Sequence, residues 1–284
     1  MIHQPIKPML LHKSDHVPEG DYLYQLKYDG HRCLLSFDLE SGTQLYTRRQ
    51  TNCTVQYPEI TEVNLNAKHA VLDGEMIVLD EGKPCFDSVM TRFRTRNPYT
   101  IERQRHSLPA QFIVFDVLYY NGKSLLHTPL EERLAILSEI IPETKVISTA
   151  KIFDDGHRLF EAAVKMDLEG IVAKKKGSLY ELDKRSQAWV KVKHYHYDVV
   201  DIAGIRKGEF AWLLQQDGRY VGTCEFVPPK ERQAFYHISK QLVTEENDKW
   251  IYLAPKVKCQ VKFQNYTKKG LMRTPSFVQF ELTG

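Results

Sequence analysis

The sequence predicts an α+β protein in two parts, residues 1–194 and 195–284, and three observations lead to that reading. Strand-like runs separated by turns fill Tyr22 to Val78; apolar residues at helical spacing follow the Asn121-Gly122 turn; and beyond His194 the pattern changes to shorter strands with one helical stretch. A chain of 284 residues is long enough to give each part its own core.

In DYLYQLKYDG, Tyr22, Tyr24 and Leu26 alternate with Leu23, Gln25 and Lys27, which is strand periodicity with polar groups late on one face. Asp29-Gly30 closes the run as a turn. HRCLLSF, TQLYTRR and AVLDGEMIVL continue in the same manner, and QFIVFDVLYY ends at Asn121-Gly122. A helix follows, with Thr128 as its cap, Pro129 at its first position, Glu131 completing a capping box, and Leu130, Leu134, Leu137 and Ile141 on its apolar face. A second helix is predicted over Leu159 to Met166, before LEGIVAKKK returns to strand. In AWVKVKH, alternation turns Val190 and Val192 to one face and Lys191 and Lys193 to the other, so two lysines address one site. VVDIAGI, AWLLQQ, the Asp217-Gly218 hairpin, YVGTCEF, the helical KERQAFYHISKQL and KVKCQVKFQ then fill about 90 residues. That pattern suits a small five-stranded barrel of the OB type.

Composition narrows the function classes less than the motifs do. Hydrophobic content of 42% and charged content of 26% are those of a globular protein, and a net charge of +3 from 39 basic and 36 acidic residues argues only weakly for an acidic partner. Arg92, Arg94 and Arg96, the run Lys174 to Lys176, and the C-terminal lysines Lys256, Lys258, Lys262, Lys268 and Lys269 each read first as solvated faces and second as nucleic-acid contacts. Five cysteines without CxxC or zinc spacing read as free thiols of a reducing cytosol. MIHQPIKPMLLHKS lacks the apolar core of a signal peptide and no segment approaches a membrane span, so the expectation is a soluble cytoplasmic protein, without membrane contact and monomeric.

Lys27, Arg32, Arg48, Glu75, Glu169, Lys191 and Lys193 fall at or near the ends of predicted strands. Each alone is better explained by structure than by function. Together, the ordered string KYDGHR, TRR, DGEMIV, FIVFDVLYYNG, LEGIVAKK and WVKVK resembles the motif set of ATP-dependent DNA ligases, within the covalent nucleotidyltransferase superfamily. CFDSVMTRF, GKSLL and GSLYELDKRSQAWVKVK are similar to stretches in the ligase module of bacterial end-joining, Ku-associated ligases. The resemblance covers nearly the whole chain. It implies a nucleotidyltransferase (ATP-grasp-like ligase) catalytic domain over 1–194 and an OB-fold domain over 195–284.

The resemblance also implies a reaction. Lys27 attacks the α-phosphate of ATP, the AMP passes to the 5′-phosphate of nicked duplex DNA, and the 3′-hydroxyl displaces it to seal the strand. A lysine with a pKa of about 10.4 is nucleophilic only once deprotonated. Desolvation and nearby cations, from Lys191, Lys193 and a metal ion, are expected to lower that value. By matching position, Arg32 and Arg48 hold phosphate or ribose, Gln25 and Leu26 adjoin the adenine, Phe115 stacks on it, and Lys191 and Lys193 grip the α-phosphate. Glu75 and Glu169 are the metal candidates, for Mg2+ with Mn2+ as an alternative, because hard cations prefer oxygen ligands. Asp29 orients the lysine or meets the 3′-terminal nucleotide, and Arg273, in MRTPSF, resembles the motif that serves pyrophosphate departure. A Ku-like DNA-end-binding protein is the partner that this analogy suggests. The rival readings are an RNA ligase, a capping-type nucleotidyltransferase and a non-catalytic nucleic-acid-binding module; GLMRTPSF and the intact Lys27 favour the DNA ligase.

Overall fold

A computed structural model describes residues 1–281, which divide between His194 and Tyr195 into two compact units. The first unit begins with β1 (Leu10–Ser14), β2 (Tyr22–Leu26), β3 (His31–Asp38), β4 (Gly42–Thr47), α1 (Pro58–Thr61) and β5 (His69–Asp80). It continues through β6 (Lys83–Pro84), α2 (Phe86–Arg94), α3 (Pro98–Ser107), β7 (Ala110–Tyr120), β8 (Lys123–Ser124) and α4 (Leu130–Ile140). It ends with β9 (Ile147–Thr149), α5 (Gly156–Lys165), β10 (Gly170–Lys175) and β11 (Arg185–Lys193).

Two sheets organise this unit. One runs β4-β3-β5-β7-β8, with β6 on β5 and β9 parallel to β7; the other runs β1-β11-β10-β2, with β1 parallel to β11. The larger sheet is covered on both faces. Leu35, Leu72, Met76, Phe112 and Val114 pack into the main core with Ile60, Val89 and Leu137 of the helices, while Leu34, Val71 and Leu118 turn the other way to meet Met9, Tyr180 and Trp189. Double burial explains why QFIVFDVLYY is an unbroken apolar run instead of an alternating one. On the smaller sheet, Tyr24, Val190 and Val192 pack with Leu159 and Ala163 of α5. The space between the two sheets is where the polar ends of β2, β5, β10 and β11 meet.

Two local expectations are corrected. Thr128 does not cap α4: Pro129 takes the cap position without a side-chain bond, and Glu131 accepts from the Gly177 N–H instead of closing a box. Arg92 is not part of a surface cluster. It is fully buried, donates to both carboxylate oxygens of Glu59 and to the carbonyls of Gln56, Gln104 and Leu108, and so ties α2 to α1 and α3.

The second unit contains β12 (His196–Arg206), β13 (Trp212–Gln216), β14 (Arg219–Cys224), α6 (Pro229–Ser239), β15 (Val243–Glu246), β16 (Trp250–Leu253), β17 (Lys258–Phe263) and β18 (Ser276–Glu281). Among the described residues it has seven strands where five were expected, because β12 is long enough to pair with β17 along its first half and with β13 and β16 along its second. Its core centres on Trp212, packed edge-on to Phe235 and Phe277. Among the described residues, no helix is long and apolar enough to cross a membrane.

Candidate active site

Pairing of β2 with β10 sets Leu26 opposite Ile171 and Gln25 opposite Val172, and the Lys27 N–H donates to the Gly170 carbonyl. The glycine of KYDG is then dictated by crowding, since a Cβ on Gly30 would stand 2.1 Å from the Met76 carbonyl oxygen on β5. Gly170, at φ +129°, meets the Val192 carbonyl in the same way, so the strand carrying the residue after Glu169 lies close against β11. These two approaches bring the ends of β2, β10 and β11 together.

Lys27 is the centre of the cluster that results. Its Nζ donates to Glu169 Oε2 at 2.7 Å, and Lys193 Nζ stands 2.8 Å from Glu169 Oε1, so one buried carboxylate is clasped by two ammoniums. Burial alone would depress the pKa of Lys27, but Glu169, Glu75 and Asp29 outweigh it and raise the value. The expected activation by neighbouring cations is therefore reversed in this state: Lys27 is a protonated, ion-paired lysine. Glu169 is the complement; burial pushes its pKa up, yet the charges of Lys27 and Lys193 bring it below the usual range. Glu75 is pushed up to about 8, first by burial and further by Glu169 and Asp29, with Lys27 and Arg32 opposing. Lys191 is lowered to about 8 by burial and by the like charges of Lys193, Lys27 and Arg185.

Gln25, Leu26, Lys27, Arg32, Glu75 and Phe115 line one pocket between the sheets. Gln25 is buried, and its amide nitrogen donates to the Ala150 carbonyl at 3.3 Å, which leaves the amide oxygen to accept from a ligand. Arg32 lies beside the Phe115 ring, 5.4 Å from its centroid. Its guanidinium is already engaged: Nε and one terminal nitrogen grip Asp73 at 2.9 and 2.6 Å, and the other donates to the Met9 carbonyl at 2.6 Å. Arg48 follows β4, where its N–H donates to the Arg32 carbonyl and its exposed side chain senses Arg32, Arg185 and Glu75. Arg273 belongs to the second unit, in the loop between β17 and β18, with its N–H on the Asn265 carbonyl.

Sequence reasoning missed Lys174, Trp189 and Val172 as lining residues of this pocket. Lys174 reads as one of three solvated lysines, yet its ammonium donates to the Phe115 carbonyl at 2.7 Å and stands 3.9 Å from the Trp189 ring and 4.6 Å from the Phe115 ring. The signal was available in the alternation of GIVAKK, which turns Lys174 inward with Val172 and Lys175 outward.

A unit built from mixed sheets and helices, with a part-buried strand-end lysine and a match to the ligase family model, defines an enzyme of the ligase class. The chain belongs to the ATP dependent DNA ligase domain family, which it matches over residues 4–193. It is 37% identical over 276 residues to the SPbeta prophage-derived DNA ligase-like protein LigB of Bacillus subtilis strain 168, covering 96% of this chain and 97% of that protein. It is 28% identical to the multifunctional non-homologous end joining protein LigD of Mycobacterium bovis, over 91% of this chain and 36% of that protein. The chain spans 53% of the DNA ligase of Thermococcus fumicolans, to which it is 30% identical, and 36% of the LigD protein. Among solved structures, mycobacterial DNA ligase D complexed with ATP and MES has a TM-score of 0.57 at 23% identity, over 98% of this chain and 96% of that one.

Proposed function

We propose that the chain seals nicks in duplex DNA through a covalent lysyl-AMP on Lys27, in the setting of DNA repair or end joining. In the first step Lys27 Nζ forms a bond to the α-phosphorus of ATP, the bond to the β-phosphate bridge breaks, pyrophosphate leaves, and the lysine gives up its proton. The 5′-phosphate of the nick then takes the AMP and frees Lys27, and the 3′-hydroxyl displaces AMP to make the phosphodiester. The observation that carries this reading is the buried Lys27–Glu169–Lys193 clasp at the mouth of a pocket walled by Phe115.

Each residue has a task in that sequence. Phe115 offers a ring face to the purine and Gln25 an acceptor to its amino group, which orients the α-phosphate toward Lys27. Lys191 and Lys193 place positive charge where phosphate charge develops. Arg32 and Arg48 address the ribose and phosphates. Glu75, Glu169 and Asp29 give the site oxygen donors suited to a hard divalent cation such as magnesium, and Glu75, raised first by burial and then by Glu169 and Asp29, is a carboxyl whose ionised form such a cation would favour. A cation held there would supply the positive charge that loosens the proton of Lys27.

Residues 1–194 serve as the adenylation domain and 195–284 as an OB-fold domain for DNA, a reading supported by the antiparallel strands that pack their own core around Trp212 and by family resemblance. The same resemblance supports a monomer of the bacterial cytosol recruited by a Ku-like end-binding protein. Incubation with ATP and magnesium followed by intact-mass measurement tests the central claim. The parent protein gains AMP and Lys27→Ala does not; an adduct of equal yield in the variant refutes the assignment.

A further inference from the structure

The buried hydroxyl of Tyr180 lies behind the pocket. It donates to Asp73 Oδ2 at 2.5 Å and accepts from an Arg32 terminal nitrogen and from the Met9 N–H, each at 3.2 Å. Asp73 is fully buried and is the carboxylate on which Arg32 forms its two-pronged pair. Desolvation and the adjacent Asp73 hold the phenol pKa well above its ordinary value, so the O–H stays a donor.

The ring and backbone of Tyr180 are themselves fixed. The ring packs edge-on against Trp189 and beneath the Arg133 guanidinium. Arg133, paired with the buried Asp116, donates to the Ser178 carbonyl, while the Tyr180 N–H donates to the Leu126 carbonyl. A rigid phenol that steadies a buried carboxylate, which in turn fixes an arginine at the pocket, is geometry for orientation.

We propose that Tyr180 is a positioning residue for the nucleotide: it holds Asp73 and Arg32 in the one arrangement in which the Arg32 guanidinium meets the nucleoside triphosphate. The inference rests on the assignment of Arg32 to that nucleotide. Without the hydroxyl, Asp73 keeps one fewer donor, the Met9 N–H loses its partner, and Arg32 can follow Asp73 into other rotamers.

The test is a double-mutant cycle on the full chain, reading single-turnover lysyl-AMP formation against ATP concentration, with thermal melting of each variant. Tyr180→Phe keeps the ring and is expected to raise the ATP concentration for half-maximal adenylation about tenfold, the scale of one hydrogen bond to a charged group. In an Arg32→Lys background the same change is expected to add nothing to that concentration, although it still lowers the melting temperature in both backgrounds, because the Asp73 and Met9 N–H bonds are lost in each. Equal fold losses in the two backgrounds overturn the proposal and leave Tyr180 a structural residue. An Arg32→Lys variant with unaltered adenylation overturns the Arg32 assignment and the proposal with it. If Tyr180→Phe does not fold, Asp73→Asn takes its place in the cycle, and additivity with Arg32→Lys again overturns the claim.

Discussion

Lys174→Met removes a titrating ammonium from the first unit while keeping an unbranched side chain of similar reach. Lys174 is 2% exposed and is lowered to about 7 by burial, with Arg133 and Arg32 adding to the effect and Asp116 and Asp73 opposing it. In the unfolded chain the same amine titrates near an ordinary lysine value. The folded pKa is the lower of the two, so protonation penalises the fold: the penalty is complete below the folded pKa and is relieved as pH rises toward the unfolded one. From pH 7 to pH 9 the unfolded chain holds this proton while the folded chain sheds it, a gain of about 2 kcal/mol for the parent that the methionine variant lacks. Urea unfolding of both proteins at the two pH values, followed by hydrogen exchange of the first-unit strands, reads the difference. Equal pH dependence in parent and variant would show that Lys174 stays charged in its cavity, and the argument from burial would fail.

Other expectations follow from the clasp and from the resemblance. Glu169→Gln strips the counterion from two part-buried ammoniums and is expected to lower stability by about 2 kcal/mol, measured by urea unfolding; unchanged stability would show that water already balances Lys27 and Lys193. Arg273→Ala is expected to slow adenylation about 100-fold while sparing the sealing of a pre-adenylated nick, since only the first step expels pyrophosphate. Single-turnover rates of the two steps separate them, and equal loss in both removes the step-specific role. With a net charge of +3, nick binding is expected to be modest and to weaken steeply between about 50 and 200 mM salt, each phosphate contact adding roughly one unit to the slope; titration at both salts checks this, and flat affinity would contradict it.

Strands with strict alternation were legible before any coordinates. The two faces of YLYQLK separate Tyr22 and Tyr24, which pack toward α5, from Gln25 and Lys27, which line the pocket. The turns at Asn121-Gly122 and Asp217-Gly218 were equally plain, and all four residues adopt positive φ. Strands β15 and β16 went unread because VTEE is wholly exposed and WIYL is too short to show a period. Charge was the other blind spot. Arg92 and Lys174 look like any surface cation in a basic run, and only tertiary partners, Glu59 for one and the Phe115 carbonyl with two ring faces for the other, draw them inside. The reversal at Lys27 has the same origin, because sequence placed Glu169 142 positions away and gave no sign that its carboxylate closes on the nucleophile.

The parallel pairing of β1 with β11 sets the order in which the first unit can be assembled during synthesis. Ser14 lies opposite Val192 and Leu26 opposite Ile171, so the first two strands of this unit to be synthesised have their partners among its last. The larger sheet can form from β3, β4, β5 and β7 while the chain is still growing, but the sheet that carries Lys27 must wait for β10 and β11. The nucleophile can thus be put in place only once β10 and β11 have been made, after the larger sheet has had the chance to form, and a nascent chain stalled before Glu169 carries Lys27 without its clasp.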